Sequence, residues 1–197
     1  MKLTRRRLIL LAIVLPLSVA IYAVQDKFIE DGNFRILQPG TVYRSGQLSV
    51  HEWKEVYRKH PFQSVINLRG ENDNKVWYQQ EQAFVNWKHV EHYDLALSAN
   101  RAPDITTMET LVEMLRAAPK PVLIHCMQGA DRTGLASALY NYAILGQPAD
   151  EAAKQLSLFY GHFPWLISHT GAMDRAFQAY TQAHPQLTTA TNPPQAN

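Results

Sequence analysis

The stretch Val122-Leu123-Ile124-His125-Cys126-Met127-Gln128-Gly129-Ala130-Asp131-Arg132-Thr133-Gly134 most narrows what this chain can fold into. An apolar, β-branched run delivers the only cysteine of the sequence into a short loop. Arg132 and Thr133 then open an apolar helical pattern from Leu135 to Leu145. Strand, tight loop and helix N-terminus is a geometry that gathers backbone N–H donors and positive dipole on one spot, which suits a phosphate. A thiol placed there meets the same dipole and Arg132, both of which favour its charged form.

The rest of the composition is compatible with one catalytic domain. A chain of 197 residues, 46% of them hydrophobic, can bury a real core. Its formal charge of +2 is concentrated at one end. Without Lys2, Arg5, Arg6 and Arg7, 15 basic residues face 17 acidic ones. The body lacks the basic face that nucleic-acid binding requires. A single cysteine excludes an internal disulfide.

The sequence divides into residues 1–25, a domain at 26–184 and a tail at 185–197. Leu8 to Val24 is an apolar run of 17 residues behind the basic cluster, at the lower limit for spanning a bilayer as a helix. As an uncleaved anchor it would place the domain on the periplasmic or extracytoplasmic side. As a cleaved signal it would leave a secreted or periplasmic protein. The anchor is favoured, because neither Ala20 nor Ala23 ends a clean Ala-x-Ala site. Thr4 to Ile9 also resembles a twin-arginine export signal.

From Asp26 to Gly40 the chain reads as a lead-in. A strand at 41–45 is followed by a capping box, Ser49-x-x-Glu52, that opens a helix to Lys59. Strands are expected at 63–68, 89–95 and 122–125. Between them lie a helix with a core stripe of Val76, Trp77, Gln80, Phe84 and Trp87, and a second capping box at Thr106-x-x-Glu109. A helix begins near Pro148, and the last runs from Ser168 to Ala183. From Pro185 onward Thr, Gln, Asn and Pro dominate, and the tail is expected to be disordered. Strands alternating with helices imply an α/β fold: a mostly parallel sheet of four to five strands with helices on both faces. Ligands of such sheets bind at the strands' carboxyl ends, where Cys126 falls.

Each part of His-Cys-x5-Arg-Thr then has a chemical use. Cys126 would attack phosphorus and form a phosphocysteine. Five intervening residues let the backbone circle one phosphate, and Gly129 permits a positive-φ turn in that cradle. Arg132 offers a planar fork to two phosphate oxygens. The Thr133 hydroxyl is placed to hydrogen-bond the thiolate, and the His125 imidazole to fix the loop. The charge balance needs no metal. Met127, Gln128 and Ala130 complete the phosphate-facing loop. His89 and His92, three apart on an expected strand, point to opposite faces and do not share a metal. His162 and His169 read as packing or surface residues.

Residues 125–133 match His-Cys-x-x-Gly-x-x-Arg-Ser/Thr throughout, and so resemble the active-site loop of the protein-tyrosine and dual-specificity phosphatase superfamily. Val42 to Gln47 and Val65 to Arg69 are similar to its atypical dual-specificity and bacterial tyrosine-phosphatase branches. The resemblance covers roughly residues 33–160. It implies cofactor-free, two-step hydrolysis of a phosphorylated protein or small phosphorylated substrate.

The leaving oxygen needs a proton donor. Many members of the superfamily place an Asp on a separate loop about thirty residues before the cysteine, which Asp94 matches. A subgroup uses the Asp of an in-loop Asp-Arg-Thr, which Asp131 matches. Asp131 is favoured, Asp94 is the alternative, and Asp104 is expected to cap a helix. Arg69 would reach the phosphate mouth if strands 63–68 and 122–125 are neighbours. Uncharged Met127, Gln128 and Ala130 favour a phosphoprotein over phosphoinositides or inositol polyphosphates, whose phosphatases usually carry lysines there. A membrane-anchored, non-catalytic phospho-binding module is the alternative of another class.

Overall fold

A computed structural model of the chain describes residues 32–164 and 171–186, together with Val14 and Pro16. The apolar run 8–24 otherwise lies outside the described residues. Among those that are described, no helix is long and apolar enough to cross a membrane.

Alternation along four short strands organises the core. Val42, Ile66, Val122 and Ile124 point to one face of the sheet, and Tyr43, Val65 and Leu123 to the other, each set joining its own buried cluster. The strands are β1 (Arg35–Gln38), β2 (Val42–Ser45), β3 (Ser64–Asn67), β4 (Glu91–Asp94) and β5 (Val122–His125). Their order across the sheet is β1-β2-β5-β3-β4. β2, β5, β3 and β4 run parallel, and β1 pairs antiparallel with β2. β5, which carries the cysteine, is therefore central.

Among residues 32–164 and 171–186, six α-helices cover both faces: α1 (Val50–Lys59), α2 (Val76–Lys88), α3 (Ile105–Ala117), α4 (Asp131–Leu139), α5 (Ala149–Ala153) and α6 (Ala172–Ala183). Trp53 of α1 and Phe84 and Val85 of α2 pack on one side. Met108, Leu111, Leu135, Leu139, Met173 and Phe177 of α3, α4 and α6 pack on the other. Ser49 and Glu52 form the expected capping box of α1.

Several expectations are corrected. The lead-in before Gly40 contains a strand, β1, whose short and half-exposed sequence shows no clear alternation. Asp104, rather than Thr106, caps α3, its carboxylate accepting the Thr107 N–H at 2.8 Å. His89 is not in a strand; it ends α2 in a left-handed conformation at φ 55°. The buried face of α2 is rotated from the expected stripe. Tyr78, Glu81, Phe84 and Val85 are buried, whereas Val76 and Trp87 are exposed. The reason is electrostatic, because Glu81 turns inward to meet two histidines. The helix after Arg132 starts earlier than expected, at Asp131, and gives way at Tyr140–Ile144 to a π-helical turn. Pro185 and Gln186 are not a free tail: Gln186 Nε2 donates to the carbonyls of Tyr142 and Gln147, each at 2.9 Å. Residues 187–197 lie outside the described region, as do Ser168, His169 and Thr170.

Candidate active site

β5 places Cys126 one residue beyond its carboxyl end, and α4 begins five residues later. In a trans peptide the C=O and N–H point in opposite directions. What holds the carbonyls of the loop therefore decides where its N–H groups aim. Met127 O accepts from Gln47 N at 2.9 Å, and Gln128 O from Asn33 Nδ2 at 2.9 Å. Gly129 O accepts from Arg44 Nη2 at 2.8 Å, and Ala130 O from Gly134 N at 2.8 Å. The first three carbonyls are pulled outward onto the scaffold, and the fourth makes the first hydrogen bond of α4. The N–H groups of Gln128, Gly129, Ala130 and Asp131 are left facing the loop's interior, with no acceptor among the described residues. Such a ring of donors at the head of a helix binds anions.

Gly129 is required for this geometry. It sits at φ 73°, and a Cβ there would lie 2.6 Å from Gly46 N and 2.7 Å from Ser45 C. The loop thus lies directly on the end of β2. Cys126 is buried beneath it at 2% exposure, whereas Met127 and Gln128 are exposed at the mouth.

Arg132 is held from behind. Its Nη1 donates to Leu97 O at 3.2 Å and, more weakly, to Leu68 O at 3.4 Å. Its Nε is buried with no protein partner among the described residues. A buried, unpartnered guanidinium N–H is costly unless something else accepts from it, and an oxyanion in the loop would. Arg69 comes to the same place because β3 does neighbour β5. It stacks on the Trp77 ring at 3.6 Å and donates to Gln47 Oε1 at 3.0 Å. Burial and then the nearby Arg132 charge lower its pKa, while Cys126 pulls the other way, so the three groups sense one another.

The alternation of β5 sends His125 to the opposite face from Cys126, where its ring meets Trp53 edge-on at 5.9 Å. His125 Nδ1 lies 3.2 Å from Cys126 O, and Nε2 donates to Glu81 Oε1 at 2.9 Å. Glu81 is fully buried and accepts as well from His92 Nε2 at 2.8 Å and Gln47 Nε2 at 3.1 Å. Burial alone would raise the Glu81 pKa, but the His125 charge and these hydrogen bonds depress it to about 2. Burial alone would likewise lower His92, yet hydrogen bonds to Asp94 and Glu81 raise it to about 9. One carboxylate thereby ties the histidine behind the cysteine to the glutamine that orients Arg69.

The two candidate acids occupy different surroundings. Asp94 ends the edge strand β4, aligned with Asn67 and, across β3, with His125. Two strand spacings, about 10 Å, separate it from the line of β5. Its oxygens accept from Asn67 Nδ2 at 2.7 Å and Tyr78 Oη at 2.6 Å. Burial opposes ionisation, but the hydrogen bonds from His92, Tyr78 and Asn67 keep its pKa below the usual carboxylate value. Asp131 lies in the loop itself and is mostly buried. Its Oδ1 is 2.6 Å from His162 Nδ1. Thr133 departs from expectation, its hydroxyl donating to Ser45 O at 3.4 Å rather than to the Cys126 sulfur.

Sequence reasoning does not assign Arg44, Glu81, Gln47, Asn33 or His162 to the site. Arg44 is fully buried beneath the loop, with the Tyr160 ring 3.8 Å from its guanidinium. Burial lowers its pKa to about 10, against the pull of Tyr160 and Cys126. Two of these residues carry a visible signal: Arg44 follows the apolar pair Val42-Tyr43 within its strand, and Glu81 shares a helical stripe with Tyr78, Phe84 and Val85.

An anion-binding loop closed around a buried thiol makes this chain a cysteine-dependent phosphatase. It belongs to the tyrosine phosphatase family, whose model matches residues 29–158. It is 25% identical over 130 residues to the tyrosine-protein phosphatase CDC14 of Saccharomyces cerevisiae, covering 58% of this chain and 24% of that protein. The chain thus spans about a quarter of the length of that relative. Tk-PTP in its active form superposes with a TM-score of 0.58 at 22% identity, over 76% of this chain and 97% of its own. TpbA of P. aeruginosa, solved as a cysteine-to-serine variant in complex with pTyr, gives a TM-score of 0.56 at 23% identity, over 76% and 91% of the two chains. These structures share the fold.

Proposed function

We propose that the chain is a protein phosphatase of the phosphotyrosine or dual-specificity type. Cys126 attacks phosphorus from below the loop and forms a phosphocysteine. The inward N–H groups of 128–131 and the Arg132 guanidinium hold the three remaining oxygens as charge develops on them. Asp131 protonates the leaving oxygen in the first step and takes a proton from water in the second. Asp94, with both oxygens occupied and two strands away, serves as a fold anchor instead. His125 fixes the loop, Arg69 helps attract the substrate, and Met127, Gln128, Gly129, Ala130 and Thr133 shape the cradle.

The observation that carries this reading is that the Arg132 Nε and a ring of loop N–H groups have no partner among the described residues. An aryl phosphate is favoured over a polyphosphate because the mouth is lined by uncharged Met127 and Gln128, and Arg69 is the cation that β3 adds beside Arg132. The TpbA complex with pTyr adds support by fold likeness.

A panel of phosphotyrosine peptides, phosphoserine and phosphothreonine peptides and inositol phosphates, assayed with the full chain and its Cys126→Ser variant, tests the proposal. Preferential turnover of inositol phosphates would overturn the substrate class. The anchor reading of residues 8–24 rests on their sequence, and fractionation of the full chain between membrane and soluble pools decides it.

A further inference from the structure

The sequence reads His162 as a packing or surface residue, yet it is fully buried with both ring nitrogens on carboxylates. Nδ1 lies 2.6 Å from Asp131 Oδ1 and Nε2 lies 2.8 Å from Asp174 Oδ2. The three groups come from separate elements: the loop at the head of α4, the segment between α5 and α6, and the first turn of α6. Asp131 and Asp174 are the charged groups that bear on the ring. A neutral imidazole has one N–H and one lone pair, and a lone pair aimed at a carboxylate oxygen is repelled. Two carboxylate acceptors therefore call for a ring that donates from both sides. Burial opposes that charge, but the hydrogen bonds to Asp131 and Asp174 raise the pKa of His162 nonetheless.

We propose that His162 is the positioning residue of the acid step, acting through Asp131 and held in place by Asp174. This rests on the assignment of Asp131 as the acid. The ring takes Oδ1, and Oδ2 has no partner among the described residues. As the Cys126 sulfur bonds to phosphorus and the bond to the leaving oxygen breaks, Asp131, protonated on Oδ2, gives that proton to the leaving oxygen. The new carboxylate charge then faces the N–H of the charged ring. In the second step water attacks the phosphocysteine, the thiolate departs, and the proton lost by water returns to Oδ2. No proton is gained or lost over the cycle, and the ring keeps both of its protons throughout.

The test compares leaving groups in the full chain. His162→Asn keeps an N–H donor near Asp131 but cannot carry the positive charge or donate to both carboxylates. It is expected to lower kcat for phosphotyrosine about tenfold, a fraction of the usual effect of a general acid. KM should be unchanged, and 4-nitrophenyl phosphate, whose leaving group needs little protonation, should be turned over almost normally. Asp174→Asn removes one of the two carboxylates that hold the ring's proton, at a side chain 43% exposed. It is expected to move the alkaline limb of the kcat profile to lower pH. Equal losses for both substrates in His162→Asn, or an unmoved limb in Asp174→Asn, would overturn the proposal. Should His162→Asn fail to fold, the Asp174→Asn profile alone decides. Asp131→Asn separates the two assignments. If it does not enlarge the dependence on leaving group, the acid assignment itself fails. If it does and the His162 and Asp174 variants do not, only the positioning role fails.

Discussion

Replacing Glu81 by Gln is the sharpest perturbation of the scaffold behind the cysteine. Glutamine preserves the volume and an acceptor oxygen, so the change removes a charge without opening a cavity. In the native protein Glu81 is depressed to about 2 and His92 is raised to about 9, from ordinary values of 4.5 and 6.5. Against burial, the Glu81 shift comes chiefly from His125 and the His92 shift first from Asp94, so the Glu81 shift alone is counted. A shift of that size corresponds to about 3 kcal/mol at 1.36 kcal/mol per unit. Asp94 also supports His92 and remains in the variant, so a loss of about 2–3 kcal/mol is expected. The His92 contribution is fully present below about pH 6.5 and is lost as pH rises through about 9. The Glu81 contribution is present above about pH 4.5 and lost as pH falls through about 2. The penalty should therefore peak between those limits, near pH 5–6, and shrink toward pH 9. Denaturant unfolding of both proteins across this range measures it. A thermal midpoint lowered by roughly 5–10 °C near pH 6 accompanies it in a chain of this size. A penalty that does not vary between pH 5 and 9, or one below about 0.5 kcal/mol at pH 6, would refute the reasoning.

Other changes test other parts of the site. Gly129→Ala forces a Cβ into the backbone of Ser45 and Gly46 at a positive φ. It should cost more than about 2 kcal/mol and abolish turnover, both visible in unfolding and initial-rate assays. Arg69→Ala should raise KM for phosphopeptides severalfold with kcat little changed; unaltered kinetics would remove Arg69 from substrate binding. Arg44→Met keeps most of the volume but strands the Gly129 carbonyl. A loss of about 1–3 kcal/mol and a fall in kcat/KM should appear together, since the same bond shapes the loop.

The fold is legible where local pattern and chemistry agree. The β-branched pair Val65-Ile66 and the apolar run 122–124 announce buried parallel strands, and the Cys-to-Arg spacing announces the cradle. β1 escapes notice because a four-residue edge strand with mixed exposure has no alternation to read. The face of α2 is misjudged because hydrophobicity alone cannot anticipate a buried carboxylate. Glu81 is interior only because His92 and His125, distant in sequence, converge on it. His162 is opaque for the same reason: its partners lie 31 residues before and 12 after it. Within the loop, Gly129 and Arg132 can be foreseen from the phosphate they must hold. The donors that hold its carbonyls outward, on Asn33, Arg44 and Gln47, belong to the tertiary fold.

Trapping of the intermediate tests the central claim most directly. The full chain is mixed with a radiolabelled phosphotyrosine peptide, quenched within the first turnover and digested. The account predicts label on the peptide containing Cys126, more of it in Asp131→Asn if hydrolysis of the intermediate is slowed, and none in Cys126→Ser. Turnover that persists in Cys126→Ser, or label on any other residue, would contradict it.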